Sequence, residues 1–75
     1  MVFEKVRKII VDVIGLEEDE ITLESRFIDD LGADLFVMVE IVIDVEEEFD
    51  IDIPDEEVMK ISTVGEMVEY VKENT

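Results

Sequence analysis

Neither cysteine nor histidine occurs among the 75 residues. Without cysteine there is no disulfide framework and no thiolate metal site, and without histidine the usual imidazole ligand and general base are missing as well. Basic residues are scarce: 6 Lys and Arg stand against 23 Asp and Glu, a formal net charge of −17 and a pI near 4.1. A field of that sign repels phosphate backbones and anionic lipid surfaces, so neither nucleic acid nor membrane is an expected partner. A basic protein surface is the natural complement, although charge of this kind also serves simply to keep a small protein soluble. Long apolar runs are lacking too. None approaches the roughly 18 residues of a membrane span. The start Met1-Val2-Phe3-Glu4-Lys5 does not have the form of a signal peptide, and a cytoplasmic protein is expected.

What is present is a patterned set of apolar residues. They make up 48% of the chain, enough to offset chain entropy despite 39% charged residues. Seventy-five residues make one small domain over 1–75, with room for a single core. Val2, Val6, Ile9, Ile10, Val13 and Ile14 recur at steps of three and four, which predicts an amphipathic helix closed by Gly15. From Leu16 to Ala33 the periodicity stops. The acidic run Glu17 to Glu20 and the isolated Ile21, Leu23, Phe27, Ile28 and Leu31 predict a long loop pinned to the core by its apolar residues.

Asp34 is placed to cap a second helix running to about Phe49, with Met38, Ile41, Val42, Val45 and Phe49 as its core stripe. Pro54 interrupts, and Asp55 is expected to cap a short third helix that offers Val58 and Met59. Thr63-Val64-Gly65-Glu66 reads as a capping box opening a last helix with Val64, Met67, Val68 and Val71 inward. Phe49 to Ile53 alternates like a strand, but no second alternating run exists to pair with it. The expected class is all-α: a small four-helix bundle with three longer helices, one short third helix and a long loop between helices 1 and 2.

Catalytic equipment is sparse. Carboxylates are abundant, yet no nucleophile and base are grouped, so an enzyme is not expected. Glu17 to Glu20 and Glu46 to Glu48 lack the alternating oxygen ligands and central glycine of a calcium loop, and they read as solvated acids rather than a metal site. Ser25 and Ser62 are the only serines; the first suits a local turn bond and the second precedes a helix cap.

Phe27 to Asp34, Glu46 to Asp50, Ile53-Pro54-Asp55-Glu56 and Ile61 to Gly65 closely resemble acyl carrier proteins of the bacterial fatty-acid-synthesis type, nearly end to end. The resemblance implies the same four-helix architecture, with helix 2 as the element that partner enzymes recognise. It also implies an Asp-Ser-Leu motif whose serine carries 4′-phosphopantetheine. This chain reads Asp34-Leu35-Phe36 there, so Leu35 takes the serine position and no cofactor is expected. The acidic recognition role would fall to Asp34, Glu40, Glu46 and Glu47, and the apolar role to Val39 and Ile43.

The departures from the family pattern are confined to Leu35, Phe36, Val37 and Met38, all of which add hydrocarbon at the start of one helix. With Met38 as the centre of the core stripe, Leu35 lies about 60° away and Phe36, Val39 and Ile43 about 100–160° away, a second apolar stripe facing water; Val37 falls on the opposite flank. The expected partner-contacting set is Leu35, Phe36, Val37, Met38, Val39, Glu40, Ile43, Glu46 and Glu47. Concentrated change of this kind suggests an engineered interaction module that meets a protein partner or its own copy through helix 2. The competing expectation is a carrier protein of fatty acid or polyketide biosynthesis in an inactive, apo-only form.

Overall fold

The computed structural model describes all 75 residues. It contains α1 (Val2–Ile14), α2 (Leu35–Phe49), α3 (Asp55–Val58) and α4 (Val64–Glu73), with one 3₁₀ turn at Glu18–Glu20 in the loop after α1. Helix α1 packs against both α2 and α4. Its Val6 and Ile10 are fully buried between them, and Val2, Ile9, Val13 and Ile14 flank the core half-exposed. Gly15 ends α1 in the left-handed conformation at φ 89°, where its N–H donates to the Val11 carbonyl at 2.8 Å. A side chain is rarely tolerated at that φ, which is why the helix stops at a glycine.

One core of 16 residues draws on every helix except α3, together with the loops. From α2 come Met38, Ile41, Val42 and Val45, and from α4 come Val64, Met67, Val68 and Val71. The long loop after α1 contributes Ile21, Phe27, Leu31 and Ala33. Leu23 and Ile28 do not follow the expectation that they pin the loop: both are exposed. A lone apolar residue in an aperiodic segment has no neighbour at a fixed step to say which side it faces.

Backbone bonds, rather than those two side chains, fasten this loop. Phe27 N–H donates to the Ser62 carbonyl, Val64 N–H to the Ser25 carbonyl and Gly65 N–H to the Leu23 carbonyl, at 2.8–3.0 Å. An isolated antiparallel bridge joins Arg26 and Thr63. Gly65 is held so close that an added Cβ would lie 2.9 Å from the Leu23 oxygen. Ser25 is the one buried polar residue, and its Oγ accepts from Thr22 N–H at 2.9 Å in the local turn expected of it.

At the start of α4 the capping box is complete: Glu66 N–H donates to Thr63 Oγ1 while Glu66 Oε1 accepts from Thr63 N–H. The same carboxylate accepts from Ser62 N–H and Ser62 Oγ, and these bonds hold its pKa down from 4.5 to about 2, the Ser62 hydroxyl contributing most. Residues 49–53 form no strand, as expected; Ile53 is buried and Ile51 half-buried. The third helix differs in detail. Pro54 is its cap residue and Asp55 its first helical residue, with no side-chain cap bond. Proline's fixed φ and the three acids of the first turn suffice to start so short a helix.

Candidate interaction face

Asp34 opens α2 as the sequence indicates, its Oδ1 accepting from Val37 N–H at 2.9 Å. The cap fixes the rotation of the first turn and therefore which side chains project. Leu35 and Phe36 are 71% and 83% exposed, and Val39 and Ile43, one and two turns on, are 49% and 48% exposed. Phe36, Val39 and Ile43 form a ridge at i, i+3 and i+7, with Leu35 beside it. Across from the ridge, Met59 just after α3 is 86% exposed. The sequence offers it to the core alongside Val58, but a helix of four residues buries only one side, and Val58 occupies it half-buried.

Between α2 and α3 the surface is concave. One hollow of about 430 Å³ is lined by Phe27, Ile28, Leu35, Met38, Val58 and Met59, among others. A second of about 450 Å³ is lined by Leu35, Val39, Val42, Ile43, Val58 and Met59, with Glu46 and Asp55 at its edge. Leu35, Val58 and Met59 belong to both, so they form a saddle dividing one apolar groove into two.

Of the nine residues expected at this face, Val37 does not reach it and Met38 reaches it only as a wall of the first hollow. Met38 is only 6% exposed and belongs to the core. Val37 is half-buried, packs against the core and lines neither hollow. The cause is the 100° step: a stripe of four consecutive residues cannot stay on one side of a helix. Glu40 and Glu47 are exposed as expected, but Glu46 is half-buried and its Oε2 accepts from Ile53 N–H at 2.7 Å, tying α2 to the loop before α3. A second tie comes from Tyr70, whose hydroxyl donates to the Asp52 carbonyl at 3.3 Å. Partial desolvation raises that hydroxyl's pKa above 10.0, and the carboxylates of Glu57, Asp52 and Glu46 raise it further. Sequence reasoning missed Ile28 and Met59 as members of the face, because neither lies in a periodic segment.

No hydroxyl lies at the head of α2. Ser25 is buried in its turn, and Ser62 Oγ donates to Glu66 Oε1 at 2.7 Å. Four carboxylates, of Asp12, Asp44, Glu47 and Glu48, line a shallow cleft between α1 and α2, without the convergence a metal site requires. No helix is long and apolar enough to cross a membrane.

The family model described as the phosphopantetheine attachment site matches residues 4–71. An acyl carrier protein of Clostridium acetobutylicum is 56% identical over 75 residues, covering 100% of this chain and 97% of that protein. The chain belongs to the acyl carrier protein family. An acyl carrier protein of Clostridium perfringens strain SM101 is 51% identical over 73 residues, 97% of this chain and 96% of its own length. Among solved structures, an acyl carrier protein from Enterococcus faecalis, described for its high thermal stability, superimposes with a TM-score of 0.84 at 40% identity, covering 99% of this chain and 94% of that one. Members of the family are carriers rather than enzymes, in keeping with the lack of a grouped nucleophile and base here.

Proposed function

We propose that this chain is an acyl-carrier scaffold without an attachment point for its prosthetic group, and that it acts by docking a protein through the apolar face of α2. The observation that carries this reading is the exposure of Leu35: the side chain that the resemblance puts at the family's serine position is 71% exposed and offers only hydrocarbon. The residues present do not fit covalent 4′-phosphopantetheine. Six of the nine expected residues, Leu35, Phe36, Val39, Glu40, Ile43 and Glu47, line one exposed side of α2. Fully burying side chains of this class is worth about 1.5–3 kcal/mol each, so three or four of them suffice to drive association. An engineered interaction module in the cytoplasm is the fuller form of this reading.

The second reading, an apo-only carrier of fatty acid or polyketide biosynthesis, draws on the end-to-end identity to the Clostridium protein. Both readings share one expected outcome. Incubation with coenzyme A and a broad-specificity phosphopantetheinyl transferase leaves the protein mass unchanged, and a stoichiometric gain mapped to any residue overturns them. Association measurements separate the two, because an apo-only carrier has no need of a sticky face.

A further inference from the structure

We propose that the apolar face of α2 pairs with the same face of a second copy of this chain, and that the acidic rim gates the pairing through ionic strength. The inference rests on the reading of that face as a docking surface and names its occupant.

Area is the first argument. Ile28, Leu35, Phe36, Val39, Ile43 and Met59 are all exposed large hydrophobics, and they border one groove and its ridge. One of the six is aromatic and five are aliphatic or thioether side chains, and with exposures of 48–86% they together present an area on the order of the ~800 Å² that each partner gives to a standard interface. The whole molecule has 4900 Å² of accessible surface. A patch of that share exceeds the roughly 300–600 Å² typical of a monomer's largest.

Shape is the second. A two-fold pair brings a patch against itself, so the patch must carry both the projecting and the receiving element. This one does. The ridge of Phe36, Val39 and Ile43 stands beside hollows of about 430 and 450 Å³ separated by the Leu35–Met59 saddle. The i, i+3, i+7 spacing of the ridge is also that of a helix packing along another helix.

Charge is the third, and it sets the conditions. Glu40 and Glu47 continue the exposed face beyond the ridge, with Asp44 half-buried on the same shoulder. Lys5 is paired with Glu48 of α2 at 3.8 Å, and Arg26 and Lys60 with their own Asp29 and Glu57 at 3.5 and 3.8 Å. Like charges therefore meet when two copies approach, on a chain of net charge −17. Such repulsion reaches about 30 Å at 0.01 M salt and about 3 Å at 1 M. The acids keep an adhesive face apart in dilute salt and permit it to close when they are screened.

Sedimentation equilibrium on the full chain tests this at both salt concentrations. Monomer is expected at about 0.01 M NaCl and a monomer–dimer equilibrium at about 1 M. Phe36→Asp is expected to weaken pairing more than tenfold, as loss of an anchor does. Glu40→Lys is expected to strengthen pairing in low salt. Leu23→Gln, at an exposed position remote from α2, is expected to leave it unchanged, which separates specific pairing from general salting-out. Monomer throughout, or a Phe36→Asp variant that pairs as well as the parent, overturns the proposal. A basic amphipathic peptide titrated in low salt decides how much falls with it. If the peptide binds, and Phe36→Asp abolishes that binding, the docking face stands and only the identity of its occupant is wrong; if it does not bind, both readings fail.

Discussion

Two aspartates placed nine residues apart on α2 should have opposite consequences. Val45 is fully buried and Phe36 is 83% exposed. Val45→Asp forfeits the burial of an aliphatic side chain, about 1.5–3 kcal/mol. It also places a carboxylate in the apolar core, which costs several kcal/mol more or forces the acid to stay protonated. A chain of 75 residues has a total stability of only about 4–11 kcal/mol at roughly 0.05–0.15 kcal/mol per residue. The substitution therefore consumes most or all of it. Val42 is a weaker choice for the comparison, because it lines one of the hollows and an aspartate there can reach water. Phe36→Asp breaks no core contact and should shift stability by about 0.5–1 kcal/mol at most. Urea unfolding followed by far-UV circular dichroism, at protein concentrations low enough to exclude association, reads both. The expected result is an intact transition for Phe36→Asp and a lost or barely formed one for Val45→Asp. If Phe36→Asp unfolds the chain as readily as Val45→Asp, Phe36 is a core residue and no exposed apolar face exists.

The melting temperature of dilute protein should rise with NaCl, because 23 acids repel one another more in the compact chain than in the expanded one; a flat response would mean that local pairing already balances them. Glu66 makes stability depend on pH with a definite sign. Its pKa is about 2 folded against 4.5 in the absence of the cap, so its contribution is fully present above 4.5 and is lost as pH falls toward 2. The gap in melting temperature between the parent and Glu66→Gln should therefore narrow over that window, and a constant gap would show that the carboxylate's charge is irrelevant to the cap. Thr63→Ala, which removes the other half of the box, should cost about 0.5–2 kcal/mol in urea unfolding at neutral pH.

Much of the architecture could be read from spacing alone, because each long helix carries both a period and a boundary signal. For α1 these are the steps of three and four and Gly15, for α2 the core stripe and Asp34, and for α4 the Thr63–Glu66 box. Periodicity also separated the inward Ile41 and Val45 from the outward Phe36 and Val39. It failed where no period exists. Ile28 and Met59 lie outside the long helices, and their place beside Leu35 follows from how the loop and α3 close over α2. The expected face was also too generous to Val37 and Met38, grouped by adjacency in the chain although the helix rotates them onto other sides. The structural duty of Glu46 depends on where Ile53 N–H arrives, and no local pattern encodes a bond across that turn.

The stitching of the long loop to the head of α4 carries a consequence for the order of assembly. The first two amides of α4 are satisfied by the Ser25 and Leu23 carbonyls, and the loop's Phe27 amide by Ser62, so these three amides have no protein acceptor until the two segments meet. The Thr63–Glu66 box forms locally, but these three bonds wait on a contact between distant parts of the chain, and its closure entropy must be met before they are rewarded. Helix α1 and most of α2 carry their own period and boundary signals, whereas the loop and the start of α4 are expected to form together, which common hydrogen-exchange protection of the Phe27, Val64 and Gly65 amides would show. Added length is correspondingly better placed in the acidic stretch near the 3₁₀ turn than between Leu23 and Phe27, where it would pull the last helix out of register.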